Sequence, residues 1–136
     1  MKLGPFDTIF EIGAGQGELT NLIAPKVSKL YALEIDRRLS LLLIERFKSC
    51  GNVNIINQDI LKFDLVKFFN EHKIKDKIKA FGNIPYYISS PIIERLIEYR
   101  AVITEIFITV QKEFARRVVA APGSKEYGSV PACLRS

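Results

Sequence analysis

Apolar and polar positions along the chain fall into two alternating patterns. Short runs rich in Val, Ile, Phe and Leu are separated by longer stretches in which apolar residues recur at helical spacing. The runs at 6–12, 29–34, 53–57, 78–82 and 102–110 predict strands. Helices are predicted over 18–26, 37–50, 65–71 and 91–99, with a further one over 111–120. Gly51 stands just past the second helix and Pro91 in the first turn of the fourth, where each residue belongs. Strands that are apolar almost throughout form a parallel sheet covered on both faces. Right-handed crossovers then make a doubly wound α/β domain, whose ligand crevice lies beyond the carboxyl ends of its strands. Every unusual residue cluster in this chain falls at such an end.

Composition narrows the picture. With 136 residues, 48% of them hydrophobic, the chain suits one domain with a real core and is too apolar to be disordered. No run approaches the roughly 18 apolar residues of a membrane helix. Met1-Lys2 leads at once to Gly4-Pro5 and Asp7, with no apolar signal core, so no membrane partner is expected. Cys50 and Cys133 lie far apart and form neither a metal pair nor a disulfide framework; a reducing cytoplasm and no metal are expected. The net charge of +5 is uneven: residues 1–68 carry nine Lys+Arg against eight Asp+Glu, residues 69–136 eleven against seven. A basic second half favours a polyanion such as nucleic acid, with a solvated basic surface as the plainer alternative. The lysines at 73, 75, 77 and 79 read as a solvent-facing loop entering a strand, and His72 among them as a solvated residue without a role.

The segment Glu11-Ile12-Gly13-Ala14-Gly15-Gln16-Gly17-Glu18 places Gly13, Gly15 and Gly17 between the first strand and first helix. Glycines there let the backbone turn tightly and approach a ligand. A dinucleotide fingerprint would need Gly at 18, where Glu18 stands and would repel a pyrophosphate. A ligand without phosphates, such as S-adenosylmethionine, suits the loop better. Glu34, 21 residues after Gly13, can accept from both ribose hydroxyls. Asp36 is a rival that can instead cap the next helix. Asp59, ending the third strand, can accept from the exocyclic amine of an adenine; alone it reads as a loop or cap residue.

The fourth strand runs into Asn83-Ile84-Pro85-Tyr86-Tyr87-Ile88-Ser89-Ser90-Pro91. Asn-Ile-Pro-Tyr behind Glu-Ile-Gly-x-Gly resembles the signature of amino-directed methyltransferases, in the form used by ribosomal RNA adenine-N6 dimethyltransferases. Tyr87 to Ile92, Val110-Gln111-Lys112-Glu113-Phe114-Ala115-Arg116-Arg117 and Ala121-Pro122-Gly123-Ser124-Lys125-Glu126-Tyr127-Gly128 resemble the housekeeping small-subunit branch. Chemistry gives the loop reasons. Adenine N6 is a poor nucleophile because its lone pair is delocalised. Acceptors on its hydrogens, from the Asn83 side chain and a backbone carbonyl at the Ile84-Pro85 turn, localise that pair, while Tyr86 offers a ring to stack the base. No strong general base is needed. A target base within a helix must be flipped out to reach such a pocket.

The resemblance implies a Rossmann-like class I S-adenosylmethionine-dependent methyltransferase fold, with S-adenosylhomocysteine as product. It implies a cofactor site at Glu11, Gly13, Gly15, Gly17, Glu34, Ile35, Asp59, Ile60 and Asn83, and a catalytic loop of Asn83, Ile84, Pro85 and Tyr86. The implied reaction is dimethylation of two adjacent adenines near the 3′ end of small-subunit ribosomal RNA. The partner would be that RNA or the pre-ribosomal small subunit, with the enzyme acting as a monomer. Lys112, Arg116, Arg117 and Lys125 become phosphate contacts or an exposed basic helix face. The resemblance runs from Asp7 to Gly128, so residues 1–128 are expected to hold an incomplete methyltransferase core. The tail Ser129-Val130-Pro131-Ala132-Cys133-Leu134-Arg135-Ser136 departs from the pattern and takes no assigned function. Family members also carry a segment before the first strand, further strands and a helical RNA-binding domain; without them, weak cofactor binding and inefficient dimethylation are expected. Two alternatives stand: the large-subunit branch that confers macrolide resistance, and a non-catalytic RNA-binding or assembly protein on the same fold.

Overall fold

In the computed structural model, residues 2–84 and 89–109 are described. They form β1 (Thr8–Ile12), α1 (Glu18–Ile23), a 3₁₀ turn (Ala24–Lys26), β2 (Lys29–Leu33), α2 (Arg37–Arg46) and β3 (Val53–Ile56). There follow α3 (Leu65–Glu71), β4 (Ile78–Asn83), α4 (Ser89–Glu98) and β5 (Ile103–Thr109). The five strands make one parallel sheet in the order β3-β2-β1-β4-β5. That is the doubly wound α/β architecture expected, with the order reversing at β1. The anticipated helix over 111–120 and the tail 129–136 lie outside the described residues.

Side-chain alternation along each strand builds two cores. Phe10, Ile12, Tyr31, Leu33 and Ala80 face α3 and α4, which contribute Leu65, Ile92 and Leu96, with Tyr99 just past the end of α4. Ile9, Leu30, Ala32 and Phe81 face α1 and α2, which contribute Ile23 and Leu43, with Phe47 just past the end of α2. Each fully buried aliphatic or aromatic side chain stabilises the fold by roughly 1.5–3 kcal/mol. No described helix is long and apolar enough to cross a membrane.

Several expected boundaries move, each for a local reason. The first strand begins at Thr8, because Gly4-Pro5-Phe6-Asp7 closes a turn in which the Asp7 N–H donates to the Gly4 carbonyl at 3.1 Å. The first helix stops at Ile23 and tightens into the 3₁₀ turn at Pro25, which has no N–H to continue the ladder. α2 ends at Arg46 with Phe47 turned into the core. β3 stops one residue early because Asn57 folds its side chain back under β2. His72 is exposed as expected, yet its ring lies 3.9 Å from that of Phe68 and 5.7 Å from Tyr31, so it does take part in packing.

Candidate active site

At the end of β1 the chain turns toward β2. The N–H groups of Gly13 and Ala14 both donate to the Leu33 carbonyl, at 2.8 and 3.3 Å. One residue on, the Gly15 N–H reaches Glu34 Oε1 at 2.8 Å, while the Asp36 N–H donates to Glu34 Oε2 at 2.9 Å. Behind this carboxylate, the Ser40 hydroxyl and the Asn57 amide donate to the Glu34 carbonyl at 3.1 and 2.9 Å. Glu34 is therefore a carboxylate only 6% exposed, with both oxygens fixed by backbone N–H groups. Each oxygen keeps a further acceptor direction, which matches a vicinal diol. Asp36 is the helix cap: its Oδ1 accepts from the Leu39 N–H at 3.0 Å.

Two glycines make the approach possible. Gly17 has φ +85°, and a Cβ there would lie 2.7 Å from the Phe47 ring, so only glycine lets α1 start against α2. Gly82 pairs with Ile12 across β1 and β4, and a Cβ on it would lie 2.6 Å from the Ile12 carbonyl oxygen. The bare backbone at Gly82 brings the ends of β1 and β4 together and sets Asn83 beside Gly13.

The result is two adjoining cavities sharing Gly13 and Asn83. One, of about 290 Å³, is bounded by Glu34, Ile35, Asp59 and Ile60, with Leu33, Gln58, Leu61 and Ile92 completing its walls. Asp59 Oδ1 accepts from the Leu61 N–H at 2.9 Å, so the residue both braces its loop and presents a carboxylate. The other cavity, of about 370 Å³, is bounded by Glu11, Gly15, Gln16 and Glu18. Glu11 is buried and accepts a hydrogen bond from the Thr20 hydroxyl. Desolvation pushes its carboxyl up to about 7, the Thr20 bond opposes that, and the nearby Glu34 charge adds to it.

The structure brings Glu11, Gly13, Gly15, Glu34, Ile35, Asp59, Ile60, Asn83 and Ile84 to these cavities. Gly17 lines neither and serves helix packing. Pro85, Tyr86, Lys112, Arg116, Arg117 and Lys125 lie outside the described residues. Thr20, Ser40, Asn57 and Gln58 are the additions; Asn57 and Gln58 directly precede Asp59 at the end of the third strand, while nothing local marks Thr20 or Ser40. Glu11, Glu34 and Asp59 are acidic, and among the described residues no Lys or Arg lines either cavity. That donor set fits S-adenosylmethionine: a diol for Glu34, an amine for Asp59, apolar walls for an adenosyl group and acidic surroundings for its cationic end. Among the described residues no three His, Cys, Asp or Glu side chains gather to hold a metal ion.

This sheet order, with glycines after β1 and an acid after β2, is that of the class I S-adenosylmethionine-dependent methyltransferases. Two solved structures share it: the 23S rRNA methyltransferase ErmE and a dimethyladenosine transferase from Plasmodium falciparum, each at TM-score 0.72. They are 28% and 30% identical, over 90% and 92% of this chain and 46% and 43% of theirs. The family model for ribosomal RNA adenine dimethylases matches residues 1–135, and the chain belongs to that family. A ribosomal RNA small subunit methyltransferase A from Syntrophus aciditrophicus is 44% identical over 128 residues, which is 94% of this chain and 45% of that protein. The chain thus spans about half the length of the curated relatives it matches.

Proposed function

We propose that this chain carries the cofactor-binding and methyl-transfer part of an adenine-N6 dimethyltransferase of small-subunit ribosomal RNA, working as a monomer in the cytoplasm. The observation that carries the reading is Glu34, buried at the end of β2 and held by two backbone N–H groups at the mouth of an acidic, apolar-walled cavity. When bound, S-adenosylmethionine supplies an electrophilic methyl group on a sulfonium. Glu34 takes the ribose hydroxyls, Asp59 the adenine amine, and Ile35 and Ile60 close on the adenosyl faces. Glu11, set by Thr20, faces the amino-acid end from the second cavity. Asn83 stands where the two cavities meet, so its carboxamide oxygen can accept a hydrogen from the target amine and localise the lone pair. The amine proton leaves to solvent after transfer, which is why no strong base is required.

The curated relatives favour the small-subunit substrate, since those most similar bear that name. Calorimetry with S-adenosylhomocysteine tests the site. Glu34→Ala should weaken binding by about a hundredfold, because the diol loses both carboxylate oxygens and the part-buried Gly15 and Asp36 N–H groups lose the acceptor that fixes the loop. Equal affinity in both proteins would refute the assignment.

A further inference from the structure

At the opposite end of the sheet the chain presents a different chemistry. The turn Gly4-Pro5-Phe6-Asp7 precedes the central strand β1, and Phe6 on it is 91% exposed. The turn is braced three ways: Asp7 N–H to the Gly4 carbonyl at 3.1 Å, Gly4 N–H to Asp7 Oδ2 at 2.7 Å, and Lys79 Nζ to Asp7 Oδ2 at 2.9 Å. Pro5 fixes its own φ. Packing among the described residues gives no reason to hold this apolar ring out in water on a rigid turn.

Around that end lie Lys26, Lys29, Lys73, Lys75, Lys77 and Arg100, all exposed. Among the described residues none of them forms an ion pair. Of the described acids nearby, Asp7 is taken by Lys79, Glu71 lies 3.9 Å from Lys67, Glu98 3.3 Å from Arg95 and Glu45 2.6 Å from Lys48, while Asp76 forms no ion pair with the cluster. Lys29 Nζ lies 6.0 Å from the Tyr31 ring, and His72, next to Lys73, packs edge-on against the same ring, which brings Lys29 close to the start of the loop 73–77. Lys73 adds a backbone observation. It sits at φ +51°, directly after α3, in the position where helices ordinarily place glycine. The flanking bonds are those of a glycine-type cap: Lys73 N–H to Asn70 O and Ile74 N–H to Phe69 O, each at 3.1 Å. A lysine there carries about 1 kcal/mol of backbone strain that glycine would not.

We propose that this amino-terminal end of the sheet, centred on Phe6 and the loop 73–77, docks RNA, its lysines on the phosphates and Phe6 stacked on an unpaired base. The inference rests on the chain acting on RNA, and it assigns a second contact remote from the methyl-transfer site. Strands of five or six residues separate the two ends by roughly 20 Å, a distance a folded RNA can span. The described walls of the carboxyl-end cavities carry acids, so lysines at the amino end add a phosphate attraction that those cavities do not supply. Exposed Leu22, Ile44 and Ile97 stand near the ends of helices that return to this side, so a lipid surface is the rival that the vesicle arm of the test separates from RNA.

The test uses the 136-residue chain, a fluorescein-labelled RNA hairpin with an unpaired loop, and anisotropy across a salt series. Replacing Lys73, Lys75 and Lys77 together by Gln should lower affinity by at least about tenfold and reduce the salt slope by about 3. Phe6→Ala should lower it about fivefold or more with the slope unchanged. Lys73→Gly separates function from folding: hairpin affinity should fall while thermal stability holds or rises. Arg37→Gln with Arg38→Gln, at the other end, should leave affinity within about twofold. An unchanged triple variant, an equal loss in the arginine control, or no hairpin binding by the wild type overturns the proposal. So does a triple variant that loses phosphatidylserine vesicle binding but keeps the hairpin. S-adenosylhomocysteine titrations run beside these read the cofactor site separately: failure there sinks the proposed activity, while the hairpin result still decides the surface.

Discussion

The carboxyl and amino ends of the same five strands solve opposite problems. At the carboxyl end, Glu11, Glu34 and Asp59 gather around cavities whose described walls hold no cation, and backbone N–H groups hold the key carboxylate. At the amino end, lysines stand free in solvent and the acid at the centre, Asp7, is tied to Lys79. The first arrangement is desolvated and fixed, as suits a small cationic ligand that must be oriented. The second is hydrated and loose, as suits a polyanion recognised by charge. A sheet parallel throughout makes the separation possible, because all its loops of one kind collect at one end.

Three substitutions break or sharpen this contrast, in decreasing order of expected effect. Gly82→Ala attacks the carboxyl end by forcing a methyl group to within 2.6 Å of the Ile12 carbonyl oxygen. Its loss of stability should be roughly 3 kcal/mol or more by urea unfolding, with cofactor affinity falling alongside. A wild-type unfolding midpoint would show that β1 and β4 are not so tightly apposed. Glu11→Gln sharpens the contrast by removing a charge while keeping an acceptor for Thr20. The Glu11 carboxyl titrates near 7 in the fold against about 4.5 in the unfolded chain, so its stabilising proton is fully present below pH 4.5 and lost as pH rises through 7. The variant should therefore gain on the wild type by up to ~3 kcal/mol at pH 8 and by almost nothing at pH 4.5. Parallel stability–pH curves would refute this. Asp7→Asn strips the acid from the amino end. Lys79 and the Gly4 N–H both hold the Asp7 carboxyl below its usual 3.8, so its contribution is present above that value and lost as pH falls through the lowered one. For a partly exposed pair the loss at pH 7 should be under about 1 kcal/mol in a thermal melt and vanish in acid.

The strands and their carboxyl-end clusters were legible because apolar runs and glycines act locally. The parallel sheet, the loop after β1 and the acid after β2 all followed from such short-range signals. What the chain hides is whatever depends on distant residues meeting. Thr20 becomes the partner of Glu11 only once α1 packs under β1, and Asn57 holds Glu34 only once β3 lies beside β2. Phe6 reads as the first apolar residue of a strand; that it points into solvent is decided by a turn whose brace, Lys79, comes 72 residues later. Asp36 reads from its position as a candidate helix cap, and its Oδ1 does accept from the Leu39 N–H at the start of α2.

The strand order also sets a timetable for synthesis. β1 is the central strand, yet Ile9 must wait for Lys79, 70 residues behind it, before its second edge is paired. At typical elongation rates of 5–20 residues per second that wait lasts roughly 4–14 s. During it β1 and β2 stand as a ribbon with an unpaired inner edge, its apolar face awaiting α4. The emerging chain is exposed at the strand that will end up most deeply enclosed, so the nascent protein is most vulnerable to aggregation before β4 has left the ribosome.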